Sequence, residues 1–168
     1  MNNIPVSDNR VLNLSDDFYN DYPHNLYPEL LEKKERPYNC LLFPTRHDFY
    51  ICIPYRSEME HTNGYKFRNT QRSLEHQSGL DYSKIVIVKN PIYIGNTDAL
   101  VDDDEYTETM YNINTIKTDA LNYVENYMKH ITGQVVMHPR AFQRKYRYTT
   151  LKYFHEELGL VTNETESY

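Results

Sequence analysis

Tyr38-Asn39-Cys40-Leu41-Leu42-Phe43-Pro44-Thr45-Arg46-His47-Asp48-Phe49-Tyr50-Ile51-Cys52-Ile53-Pro54 contains two apolar and aromatic runs, Tyr38 to Phe43 and Phe49 to Pro54, joined by Pro44 to Asp48. Short runs rich in aromatic and β-branched residues, separated by turn-forming residues, read as a β-hairpin. Working outward, His61-Thr62-Asn63-Gly64 is a turn that leads into a third strand, Tyr65 to Arg68. Ile85-Val86-Ile87-Val88 between two lysines predicts a fourth strand, Lys84 to Lys89, and Ile92 to Ile94 a short fifth. Upstream, Val11 to Leu14 predicts a short strand. Pro28 to Glu35 predicts a short helix with proline in its first turn, ended by Pro37.

The second half changes period. Ile113, Ile116, Ala120, Val124, Met128 and Ile131 recur at steps of three and four, which places one apolar stripe on a helix facing a core, and Gly133 follows as a C-terminal cap. A last helical region is expected from Pro139 to Gly159 with a break at Thr149-Thr150, and Thr162 to Tyr168 reads as a frayed polar tail. Strands followed by helices predict an α+β fold: a compact, strongly curved antiparallel sheet or half-barrel, with helices packed around it and a helical C-terminal part. The length of 168 residues predicts one domain, residues 1–161, with 162–168 as the tail.

Composition narrows the function. A mean hydropathy of -0.78 comes with no apolar run near the roughly 18 residues of a membrane span, and no signal peptide opens the chain. Cys40 and Cys52 lie inside apolar runs without metal spacing, against a disulfide scaffold or zinc ribbon, so a reducing cytoplasm is expected. The aromatic share of 14% is mostly tyrosine, 17 residues, which excludes a disordered chain and suits surfaces that touch a polar planar partner. Net charge is -6, yet it is segregated: Asp98, Asp102, Asp103, Asp104, Glu105 and Glu108 form an acidic stretch, while Gln134 to His155 holds no acid. Asp102-Asp103-Asp104 reads as a solvated loop rather than a metal site.

Chemistry concentrates at Phe49 to Ser57, where a strand ends at Pro54 and delivers Arg56 and Ser57 to one loop, with His61, Lys66 and Arg68 following. Guanidinium, hydroxyl and ammonium donors suit a phosphate, although an ordinary solvated loop has the same composition. His47 and His61 are of the residue type that serves most readily as base or acid in proton transfer, or are simply turn residues. Arg140-Ala141-Phe142-Gln143-Arg144-Lys145-Tyr146-Arg147-Tyr148 interleaves cations with aromatics, a pattern that grips phosphates and stacks unpaired bases. The same pattern fits an amphipathic helix with Phe142 and Tyr146 in the core.

At Tyr50-Ile51-Cys52-Ile53-Pro54-Tyr55-Arg56-Ser57 the chain resembles the endoribonuclease toxins of type III toxin–antitoxin systems, the ToxN, AbiQ and CptN group. Their hairpin has a second strand that starts at an aromatic, passes a proline and ends at a serine. Pro37 to Leu42 is similar to their preceding strand, with Arg36 in the place of a basic residue that is lysine elsewhere. The resemblance implies a barrel-like fold similar to the MazF and Kid toxins. It also implies RNA cleavage without a metal or cofactor, giving 2′,3′-cyclic phosphate and 5′-hydroxyl ends. Its implied partners are substrate RNA and a pseudoknotted repeat antitoxin RNA, in a closed protein–RNA assembly away from membranes, with a role in phage defence. Ser57 matches the active-site serine and Arg56 stands where some members have threonine. Met59 stands where the family has a lysine, a place that Lys66 or His61 would fill.

The expected catalytic set is therefore Ser57, Arg56, Arg36, Lys66 and His61. The expected RNA contacts are Lys33, Lys34, Tyr55, Arg68, Lys84, Arg140, Arg144, Lys145, Tyr146 and Arg147. Two other classes remain open at this point: a non-catalytic RNA-binding module using the basic C-terminal segment, and a protein-interaction domain.

Overall fold

The structure is a computed structural model in which residues 9–31 and 38–160 are described; Arg36, Lys33, Lys34 and the expected tail 162–168 lie outside them. The predicted hairpin is its centre. β2 (Asn39–Pro44) and β3 (Tyr50–Arg56) pair antiparallel from Cys40 opposite Pro54 to Pro44 opposite Tyr50. β1 (Arg10–Leu14) adds to the free side of β2, and β7 (Ile94–Asp98) adds to β1.

The other side of β3 is shared. Tyr50 to Cys52 pair with β6 (Val86–Val88), whereas Tyr55 and Arg56 pair with β5 (Gly79–Asp81), which in turn carries β4 (Gly64–Lys66). The change of partner falls at Ile53-Pro54, and a proline has no N–H to give to a ladder. The result is an antiparallel sheet of seven strands whose two ends, β4 and β7, do not pair, so the sheet is open.

Helices cover the sheet, and the fold is α+β. α4 (Ile113–Ile131) buries Ile116, Ala120 and Val124 of the expected stripe together with Tyr123 and Tyr127, while Ile113 and Met128 are half-buried and Ile131 is exposed. Gly133 follows its end with φ +75. Leu41, Leu42, Ile51, Ile53, Leu80 and Phe154 are fully buried in the same core.

Several expectations are corrected. The described part of the predicted helix at Pro28 to Glu35, through Leu31, is a series of turns. A helix does occur earlier, α1 (Asp16–Asp21), where the Ser15 hydroxyl accepts from the Phe18 N–H and Asp16 and Asp17 sit at the positive helix start. The Ile92 to Ile94 segment is a 3₁₀ turn, Pro91–Tyr93, that feeds β7. The last helical region divides into α5 (Pro139–Tyr146) and a 3₁₀ turn, Thr150–Tyr153, capped by Thr149 at the expected break.

Asp102 to Asp104 are exposed, as expected, but Asp103 and Asp104 begin a helix rather than lie in a loop. α2 (Gln71–His76) and α3 (Asp103–Tyr111) are anchored to each other through the acidic stretch. Glu108 accepts from the backbone N–H groups of Arg68 and Asn69 and from the Tyr65 hydroxyl, and Asp104 accepts from the Gln71 N–H. These carboxylates satisfy donors that would otherwise be open where the chain leaves β4. Glu105 is buried on the same helix beside Arg72, and burial pushes its carboxyl up.

Candidate functional site

β3, β5 and β4 set the geometry of one corner of the sheet. In their register Arg56 lies opposite Gly79, and Gly79 opposite Lys66. Directly opposed residues share a face, so Arg56 and Lys66 point to the same side, with two strand spacings, about 10 Å, between their backbones. The residue between them has no side chain. Met59 fills that space: a Cβ on Gly79 would lie 2.7 Å from its methyl, and one on Gly64 3.0 Å from its sulfur. Met59 is 1% exposed, so a lysine at this position would carry its ammonium into the protein.

Asp81, two residues along the same face of β5, is 0% exposed and collects the polar groups of this corner. Its Oδ2 accepts from Arg56 Nη1 at 2.8 Å and from His61 Nε2 at 3.2 Å. Its Oδ1 accepts from the Ser83 N–H at 2.9 Å and the Ser83 hydroxyl at 2.6 Å. His61 Nδ1 in turn accepts the Asn63 N–H at 3.1 Å. A nitrogen that accepts a backbone N–H carries no proton, so the proton of the neutral ring is on Nε2 and faces Asp81. Both ring nitrogens are engaged, and the expected use of His61 for proton transfer lacks a free lone pair.

Burial by itself would push the Asp81 carboxyl up; the donors from His61, Ser83 and Arg56 outweigh it and hold the group below the ordinary range. A carboxyl depressed in the fold stabilises above its unfolded value, about 3.9, and this contribution is lost as pH falls through the folded value. Urea unfolding at about pH 7 and about pH 3 is expected to show a larger acid loss for the native protein than for Asp81→Asn. Equal losses would remove Asp81 from the acid response.

Ser57 follows β3, half-exposed, and its hydroxyl has no hydrogen-bond partner among the described residues. The chain turns immediately after it. Glu58 has φ +54 and Gln77, across from it, φ +49, both in the left-handed region that disfavours side chains. Bonds from Glu58 N–H to the His76 carbonyl and from Met59 N–H to the Gln77 carbonyl hold this turn, with Glu58 Oε1 2.7 Å from His76 Nδ1. Ser57 is thus displayed on a backbone fixed from both sides.

The basic segment is adjacent. Asn63 Nδ2 donates to the Lys145 carbonyl at 3.1 Å, which ties the end of α5 to the loop that carries His61. Arg140, Arg144 and Arg147 are exposed, and the Arg147 guanidinium lies 5.1 Å from the centre of the exposed Tyr148 ring. Lys145 is half-buried over Tyr123 and Tyr146.

Three expected RNA contacts are corrected by burial. Tyr146 is 3% exposed and donates to the Tyr123 carbonyl; Tyr55 is in the core with its hydroxyl on Thr109. Lys84, 12% exposed, donates to Glu29 and to the Tyr148 carbonyl. Arg68 is exposed but lines a cleft of about 650 Å³ with Asp103, Asp104 and Glu108, a neighbourhood that repels phosphate.

Asp81 and Asn63 were missed from the sequence. The signal was the Asp-x-Ser pattern at Asp81-Tyr82-Ser83, in which an aspartate bonds the backbone two residues on. Among the described residues no group of three or more His, Cys, Asp or Glu is placed to hold a metal ion, and no helix is long and apolar enough to cross a membrane. No family model, no curated protein and no solved structure matches this chain.

Proposed function

We propose that this protein is a metal-independent endoribonuclease of the type III toxin–antitoxin kind. The observation that carries the reading is one face on which Arg56 and Lys66 stand on either side of Gly79, with Met59 filling the space there, beside Ser57, whose hydroxyl has no partner among the described residues. The acid-free segment bearing Arg140, Arg144 and Arg147 adjoins that face. In this reading the open sheet is the curved half-barrel of the MazF and Kid toxins. The cationic surface receives the substrate and, as its inhibitor, a pseudoknotted repeat RNA in a closed cytoplasmic assembly that serves phage defence.

RNA brings its own nucleophile. The 2′-hydroxyl gives its proton to solvent as its oxygen attacks the adjacent phosphorus, the bond to the 5′-oxygen breaks as that oxygen takes up a proton, and a 2′,3′-cyclic phosphate and a 5′-hydroxyl remain. The protein's task is to stabilise the extra negative charge of the five-coordinate phosphorus, which preorganised donors do well in a partly desolvated site. Arg56 supplies the planar fork of donors not used on Asp81, and Ser57 orients a phosphate oxygen. Lys66 has no ion-pair partner among the described residues and is the donor to the leaving 5′-oxygen.

Ser57→Ala tests the reading. It is expected to abolish toxicity and the cyclic-phosphate product in cells while leaving RNA affinity within about tenfold, since one hydrogen bond to a phosphate oxygen, about 1.5 kcal/mol, is lost in binding. Retained toxicity removes Ser57 from the mechanism. RNA binding by the native protein with no cleaved product assigns the function to the basic segment alone, as a non-catalytic RNA-binding module.

A further inference from the structure

We infer that Asp81 is the positioning residue of this site, fixing the direction of the Arg56 guanidinium and the tautomer of His61 while joining both to the loop that meets the basic segment. The inference rests on the endoribonuclease reading for its consequence and on the hydrogen-bond geometry for its content.

The two oxygens of Asp81 have separate partners. Oδ1 is committed to the Ser83 N–H and hydroxyl, a local turn that begins the 3₁₀ segment Tyr82–Lys84. Oδ2 faces the two side chains of the site, Arg56 and His61. One oxygen therefore belongs to the fold and the other to the chemistry. His61 passes the constraint on: its Nδ1 holds the Asn63 N–H, and the Asn63 side chain holds the Lys145 carbonyl at the end of α5. Four linked bonds connect the phosphate-binding guanidinium to the RNA-binding segment.

Asparagine separates the two roles. The Ser83 N–H is a fixed donor, so the amide of Asp81→Asn keeps its oxygen there and turns its NH₂ toward Arg56 and His61. Both of those are donors as placed. Arg56 loses its anchor, and His61 can accept from the amide only by moving its proton to Nδ1, which displaces the Asn63 N–H. A group misplaced by about 1 Å costs on the order of 100-fold in rate.

The test has two independent parts. In native protein, ¹⁵N chemical shifts of the His61 ring, followed up the pH scale to where the ring is seen to be neutral, are expected to show the Nε2-protonated tautomer. The Nδ1-protonated form overturns the inference, whether or not RNA is cleaved. For cleavage, Asp81→Asn is expected to lose about 100-fold in kcat with KM within about threefold. Added to Arg56→Ala it is expected to lose less than about threefold more, because it acts through the guanidinium that is already gone. Native cleavage rates in Asp81→Asn, or full additivity with Arg56→Ala, overturn it too. Absence of cleavage by native protein defeats the endoribonuclease reading, and with it the catalytic consequence of Asp81, but leaves the tautomer measurement to decide the geometry.

Discussion

Arg56→Ala is expected to lower RNA cleavage about 1,000-fold, the upper end of what one preorganised donor to a developing anion contributes. The argument starts from the sheet. Arg56 is the last residue of β3, its register opposite Gly79 fixes its side of the sheet, and Asp81 fixes its direction. A guanidinium carries five N–H donors, and Asp81 accepts from Nη1, so the rest of the fork is free for phosphate oxygens.

Removal also frees a buried carboxylate from one charged partner, a loss of about 1.5–3 kcal/mol, so the variant is expected to melt earlier and must be assayed where it is folded. Arg56→Lys keeps the charge but not the planar fork, and its rate is expected to fall between the two. Arg46→Ala is the control: Arg46 is exposed, pairs with Glu125 and lies outside the site, so cleavage should be unchanged and stability altered by less than about 1 kcal/mol. If Arg56→Ala cleaves as well as Arg46→Ala, the corner around Asp81 is structural and the phosphate is held elsewhere.

The hairpin was legible because each of its strands is long enough to show its own composition, and α4 because nineteen residues repeat one period. β5 was not, since Gly79-Leu80-Asp81 offers one apolar residue between a glycine and an acid, too short for any periodicity. Asp81 disappeared with it. An aspartate beside a turn looks solvated until the strands on both sides bury it. The acidic stretch was half legible, since Asp102 to Asp104 are exposed but their helix and its anchoring were not foreseen. Charge runs are read as water-facing, but Asp104 and Glu108 spend their oxygens on backbone N–H groups more than thirty residues away, which no local pattern displays.

The tyrosines show the opposite bias. Their abundance reads as a binding surface, yet Tyr55, Tyr82, Tyr123, Tyr127 and Tyr146 are buried, and burial raises the pKa of every one of these hydroxyls. Tyr123, Tyr127, Phe142 and Tyr146 pack ring against ring under α5. That aromatic bed leaves Arg140 and Arg144 exposed, which is the amphipathic-helix reading of the segment: Tyr146 is core, Phe142 is half-buried beside it, and the arginines are surface.

Gly79→Ala is expected to cost about 3 kcal/mol, the upper end for inserting one methyl into a packed site, and to lower Tm by about 10 °C. The methyl would lie 2.3 Å from the Tyr65 carbonyl oxygen and 3.1 Å from the Lys66 Cα. Met59 is flexible and can withdraw its methyl, but the other two contacts are backbone of β4, which must leave β5 for the methyl to fit. Three cross-strand pairs, Gly64–Asp81, Tyr65–Leu80 and Lys66–Gly79, then loosen together, and Lys66 loses its place across from Arg56. Cleavage is therefore expected to fall even at temperatures where the variant remains folded. Gly133→Ala separates sterics from conformation: Gly133 has φ +75 but no atom within 4 Å of a new Cβ, so only the left-handed penalty of about 1 kcal/mol applies, and cleavage is retained. Equal melting of the two variants would mean that β4 does not lie in this register, and Lys66 would then have no claim to the leaving oxygen.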